Sequence, residues 1–289
     1  MRIMNCWFVI AAVSAATLCW PALVVGQGPP STGFVNELFA FDNGTGRGVL
    51  SPVAQADMLH ELGYAGIGYT GTSNIPAMLA ALDKHDLKMF STYVGAVVGP
   101  EGPTYDPGLP AAIEQLKGRD TVIWLTVRGN ADDAEEQAVR VVGEIGDLAA
   151  KVGLRVALYP HVGFYVARVE DALRIVKKVD RPNVGASLNL CHWLKVGDEP
   201  NMKLRMEQSL PHLFLVSING ADHAGGWDRL IQTLDRGEFD VYRFVKTLAD
   251  MGYKGPIGLQ CYNVKGDRRE NLERSIKAWQ EFCRRRANE

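Results

Sequence analysis

The chain has 289 residues, 47% of them hydrophobic and 22% charged, and a formal net charge of −2. That length suits one large α/β barrel or two small domains. No basic block appears before the Arg284-Arg285-Arg286 tail, which excludes an extended nucleic-acid-binding face.

In chain order, the first element is a targeting segment. Arg2 supplies a positive start, residues 7–25 are apolar, and Val24-Val25-Gly26 places small residues before Gln27. This pattern predicts a signal peptide over residues 1–26, export, and no stable membrane insertion after cleavage. The run is also long enough to be an uncleaved anchor, but Pro21 interrupts it. Residues 27–36 read as a short linker. Cleavage removes Cys6 and Cys19 and leaves Cys191, Cys261 and Cys283, too few for a disulfide scaffold. They read as buried thiols, with a Cys191–Cys261 bridge left open.

From residue 37 onward, short apolar runs alternate with segments of helical period. The runs fall at 37–41, 64–69, 87–97, 121–127, 154–158, 184–190, 213–218 and 256–259. Helical segments fall at 52–62, 75–85, 133–152, 169–179, 201–210, 241–251 and 268–285. Ser51-Pro52 is a cap followed by a first-turn proline, and Asp106-Pro107 repeats the device. Gly63, Gly118, Gly153 and Gly252 stand where helices should stop. Eight alternating units predict an α/β fold, a single-domain (β/α)8 barrel over residues 37–289. A doubly wound open sheet is the alternative. No Gly-x-Gly-x-x-Gly follows an early strand, which removes the commonest dinucleotide-binding reading.

Active sites of such barrels lie at the C-terminal ends of the strands. The later strands end in Tyr159 and His161, in Asn189 and His192, in Ser217, Asn219, Asp222 and His223, and in Gln260, Tyr262 and Asn263. Three of the six histidines fall in these segments; His60, His85 and His212 read as structural. Earlier strands end in Asp42-Asn43, Tyr69-Thr70, Tyr93 and Arg128, of which Asp42 and Arg128 could fix hydroxyls or an anionic group. The connection after residue 218 is unusually long and carries Trp227, placed either to stack on a sugar ring or to pin the loop.

These segments resemble the xylose-isomerase-like TIM barrel family, the sugar isomerases and epimerases that share a fold with the AP endonucleases. Residues 233–260, from Thr233-Leu-Asp-Arg-Gly-Glu-Phe-Asp to Gly-Tyr-Lys-Gly-Pro-Ile-Gly-Leu-Gln260, look like the family's last unit. Asn189-Leu-Cys-His192 resembles an Asp-x-x-His after the sixth strand, and Tyr159-Pro-His161 resembles a Glu-Asn-His after the fifth. The family's divalent metal is typically held by Glu, Asp, His and Glu. Here the matching positions carry Tyr159, Asn189, either Ser217 or Asn219, and Gln260, so the anionic ligands a hard cation wants are missing. The AP-endonuclease branch is set aside, since its ligands and a basic face are both absent.

The resemblance implies an exported sugar isomerase- or epimerase-like enzyme that moves a proton on a sugar or keto-sugar without the usual divalent metal. In that reading His161 and His192 are the catalytic acid and base. Tyr159, Asn189, Asn219, Asp222, Gln260 and Trp227 bind a small-molecule carbohydrate. Lys195 is a further electrophile candidate, and a transition metal on His161, His192 and His223 is a variant. The competing reading is a non-catalytic carbohydrate-binding barrel that has lost its metal site.

Overall fold

Mostly apolar runs without a regular polar alternation suit strands buried on both faces. The computed structural model describes residues 33–289; the expected signal peptide, 1–26, and residues 27–32 of the linker lie outside the described residues. Eight parallel strands form the barrel: β1 (Leu38–Phe41), β2 (Gly66–Thr70), β3 (Lys88–Val98), β4 (Val122–Gly129), β5 (Arg155–Leu158), β6 (Val184–Asn189), β7 (Leu213–Ile218) and β8 (Ile257–Leu259). Each pairs with its chain neighbours, and β8 returns to β1 with Gly258 opposite Phe39. Closure leaves no open sheet edge. A two-residue strand, Thr104–Tyr105, adds to β3 in antiparallel fashion.

A helix follows each strand: α1 (Pro52–Leu62), α2 (Ile75–Asp83), α3 (Leu109–Gln115), α4 (Ala134–Lys151), α5 (Val169–Val179), α6 (Met202–Ser209), α7 (Val241–Asp250) and α8 (Arg268–Ala287). Their starts are built as the sequence suggests. Ser51 Oγ accepts the Ala54 N–H at 3.2 Å, with Pro52 in the first turn. Asp240 accepts the Arg243 N–H at 2.9 Å at the start of α7. The apolar faces of these helices bury against the outer surface of the strands, as Val142, Ile145 and Ala149 of α4 do. Among the described residues no helix is long and apolar enough to cross a membrane.

Inside the barrel, large rings from some strands fill space left by small residues on others. Phe39, Phe41, Phe90, Trp124 and Tyr159 form a buried aromatic stack. Phe39 lies on Phe90 at 4.8 Å between centroids, while Trp124 meets Phe41 edge-on at 5.0 Å and Tyr159 at 4.9 Å. A Cβ on Gly258 would run into the rings of Phe39 and Phe41, so β8 can pass only as glycine. Each such ring contributes roughly 1.5–3 kcal/mol over its exposed state. Trp124 satisfies its one donor on Ser187 Oγ at 2.7 Å. The top of this stack is the floor of the site.

One local departure matters. β6 runs directly into a short helix, Leu190–Lys195, which puts His192 in its first turn rather than in a loop. Two further short helices, Asp42–Thr45 and Trp227–Leu230, lie at the same end of the barrel.

Candidate active site

A cavity of about 390 Å³ opens at the C-terminal ends of the strands, within the range of small-molecule sites. Its buried base is made by Phe41, Trp124 and Tyr159, with hydroxyls and amides from Thr70, Ser91, Asn43 and Gln260 above. His161 and His192 form one wall, and Trp227, Tyr262, Tyr69 and Arg47 stand toward the opening. Among the described residues the lining contains no carboxylate.

The two imidazoles are the chemical centre. Their ring centroids lie 4.0 Å apart, inclined by 41°. His161 stacks on Phe164 at 3.9 Å, and its Nδ1 lies 2.9 Å from the Val162 carbonyl. A carbonyl only accepts, so Nδ1 carries the proton and the neutral ring keeps its lone pair on Nε2. Burial pushes the His161 pKa below its ordinary value. His192 is buried, Trp227 meets it edge-on at 5.3 Å, and its Nδ1 has no hydrogen-bond partner. Burial, and then the neighbouring His161, push the His192 pKa down to about 3. Both rings are therefore neutral near pH 7.

Gln260 is held from three sides. Its Oε1 accepts from Asn43 Nδ2 at 2.8 Å and from the Tyr262 N–H at 2.9 Å, while Nε2 reaches Tyr159 Oη at 3.4 Å. Tyr159 is enclosed by Tyr93, Trp124 and His192, and burial raises its phenol well above the usual value.

Other sequence-expected site residues are elsewhere. Asn189 does not line the cavity; its Nδ2 donates to the Pro160 carbonyl at 3.1 Å, and its Oδ1 accepts from Ser217 Oγ at 3.2 Å. Asn219 donates to the carbonyls of Gly220 and Leu230 at 2.8 and 2.7 Å. Asp222 accepts from Arg229 Nε at 2.6 Å and from the Glu238 N–H at 3.1 Å. These three, expected to contact substrate, instead bind loop backbone and the Arg229 guanidinium. His223 does not join the other two histidines: it pairs with Glu199 at 2.8 Å, which raises its pKa. Lys195 donates to the Gly225 carbonyl at 2.9 Å and lies 5.5 Å from the Trp227 ring centre. Cys191 and Cys261 are free thiols, each pushed up to about 12 by burial, so no bridge joins them.

The strand ends from β1 to β4 contribute more than the sequence suggested. Phe41, Arg47, Ser91 and Trp124 line the cavity without having been singled out. Side chains two apart share a strand face, so Ser91 was readable from Tyr93, whereas Phe41 and Trp124 lie in uniformly apolar runs that give no such cue. Arg47 follows a short helix and had no such signal.

The family's hard divalent ion does not fit this donor set. Tyr159, Ser217 and Gln260 are neutral, and Asn189 spends its amide on Pro160. Among the described residues no three His, Cys, Asp or Glu side chains come together as a ligand group. Two neutral imidazoles without a carboxylate are a poor match for a cation that prefers anionic oxygen.

The sequence profile of the xylose isomerase-like TIM barrel family matches residues 56–282. Solved structures of similar fold include the IolI protein with a bound zinc atom, 16% identical, with a TM-score of 0.67 over 86% of this chain and 98% of that one. The 3-keto-D-glucoside 4-epimerase of E. coli is 16% identical, with a TM-score of 0.68 over 86% and 100%. The D-allulose 3-epimerase of Methylomonas sp. in complex with D-allulose is 16% identical, with a TM-score of 0.69 over 86% and 97%. No curated protein matches the chain. Profile and barrel agree, and the chain belongs to the xylose isomerase-like TIM barrel family.

Proposed function

We propose that this chain is an exported sugar isomerase- or epimerase-like enzyme that moves a proton on a sugar or keto-sugar without the family's carboxylate-held metal. The observation that carries this reading is the neutral His161–His192 pair in the wall of an aromatic, amide-lined cavity. Aromatic faces and amides suit a polyol, and the structural neighbours include sugar epimerases. The export half of the proposal rests on the apolar N-terminal segment.

The two histidines have different roles in this mechanism. His161 Nε2 holds the free lone pair and takes the proton from the carbon next to the substrate carbonyl. His192 is too weak a base for that step. As a neutral imidazole it donates a hydrogen bond to the carbonyl oxygen, where charge develops in the enediolate. The proton on His161 then returns from the same face to the neighbouring carbon while the hydroxyl proton passes to the former carbonyl oxygen, which completes an isomerisation; epimerisation needs delivery to the opposite face by a donor other than His161. Trp227 and the aromatic base restrict water around the intermediate.

A second reading, sugar binding without turnover, is favoured by the same burial that lowers the pKa of His161 and makes it a weaker base. Proton NMR in D2O with a panel of aldoses, ketoses and 3-keto-sugars separates the two. The enzyme reading expects deuterium to enter the carbon beside the carbonyl of at least one sugar, and His161→Ala to slow this by about 100-fold or more. Saturable quenching of tryptophan fluorescence with no exchange would instead establish the binding module.

A further inference from the structure

Among the described residues, Arg47 is the only charged side chain in the cavity lining. Its side chain is 46% exposed, and a single guanidinium N–H reaches Asp42 Oδ1, at 3.3 Å. That is long for a charge-assisted bond, and the other guanidinium N–H groups have no protein acceptor among the described residues. Asp42 lies buried behind it, takes the Thr70 hydroxyl at 2.8 Å on the same oxygen, and is not part of the lining. The carboxylate thus tethers the cation without presenting an anion to the cavity.

Two more cations stand near the opening. Arg128, exposed at the C-terminal end of β4, has no ion-pair partner among the described residues. It and Arg47 both lie near enough to the Tyr93 phenol to favour its ionised form, although burial outweighs them. Lys195 sits beside Trp227, and among the described residues its ammonium has only the Gly225 carbonyl as an acceptor. These N–H groups can donate to the hydroxyls of a neutral polyol, but a cationic cluster with no carboxylate facing it gains more from an anion. A guanidinium fork also matches the paired oxygens of a carboxylate or phosphate.

We infer that the pocket takes an anionic sugar, whose carboxylate or phosphate is held by Arg47 while Arg128 adds to the attracting field. This inference rests on the carbohydrate reading of the pocket.

Tryptophan fluorescence reports on the site, because Trp124 and Trp227 both line it. The protein is titrated with pentoses and hexoses, each as the neutral sugar, its uronic acid and its phosphate. The anionic member of a set should bind about tenfold or more tighter than the neutral one, and added salt should shrink that ratio. The ratio should fall by about tenfold in Arg47→Gln and by less in Arg47→Lys, which keeps the charge but loses the fork. Preference for the uronate or for the phosphate identifies the anionic group. Equal binding of neutral and anionic members, or an Arg47→Gln variant that weakens both alike, overturns the inference and leaves the carbohydrate reading standing. No binding by any member overturns both.

Discussion

His192 connects the environment of a single residue to the stability of the whole chain. In the unfolded chain an imidazole takes up a proton near pH 6.5, whereas in the native cavity burial and His161 hold His192 down to about 3. Between those values the unfolded state binds more protons, so native stability falls as pH drops through the window. A shift of that size corresponds to a few kcal/mol, on the order of 1.4 kcal/mol per unit. Denaturant midpoints measured from pH 7 to pH 4 should therefore decline more steeply in the wild type than in His192→Gln. Parallel declines in the two proteins would contradict the buried, neutral assignment. At this scale the sequence was readable for residue type but not for direction. Asn189 and Gln260 both looked like amides in place of carboxylates, yet only Gln260 lines the cavity, because Asn189 is claimed by the Pro160 carbonyl and by Ser217.

At the scale of elements, the long connection between β7 and α7 is held by a few polar and steric contacts. Asn219 and Asp222 bind its backbone, and the Gly220–Gln232 bridge closes it so that Trp227 stands beside His192. Gly237 is required here, since it sits at φ 96° and a Cβ would collide with the Ala221 backbone. Gly237→Ala should cost about 1–3 kcal/mol in unfolding free energy, read as a lower urea midpoint at unchanged slope. A midpoint equal to that of the wild type would show that the loop accommodates the strain. The bounds of α1, α5 and β7 match the expected segments because their apolar spacing and caps agree. The helix Leu190–Lys195 was missed for a physical reason: its first five residues are buried all round, so it shows no amphipathic period. That is why His192 read as a strand-end residue. α3 was signalled only at its ends, by the Asp106-Pro107 pair and by Gly118, and its start falls two residues later than that pair implied, at Leu109.

Across the molecule, strand runs buried on both faces and helices of regular period left few arrangements other than a closed barrel, and the fold was legible from that alternation. The pocket was half legible. Polar residues at the ends of β5, β6 and β8 pointed to the mouth, whereas the aromatic base depends on which strands contribute large rings and which contribute glycine. That fit is a property of closure rather than of any one segment. The expectation of three converging histidines failed for a related reason: Glu199, distant from the mouth in sequence terms only by a helix turn after Lys195, captures His223 outside the cavity. What the closed barrel assembles is a site of neutral donors and one guanidinium, without a carboxylate among the described residues, on a scaffold shared with a zinc-bound structure. The central claim is that such a site works on its sugar through imidazoles alone. Its most direct test is the rate of solvent deuterium exchange into the responsive sugar, before and after exhaustive chelation of the purified protein. The account predicts that chelation leaves the rate unchanged; a rate abolished by chelator and restored by added divalent cation would contradict it.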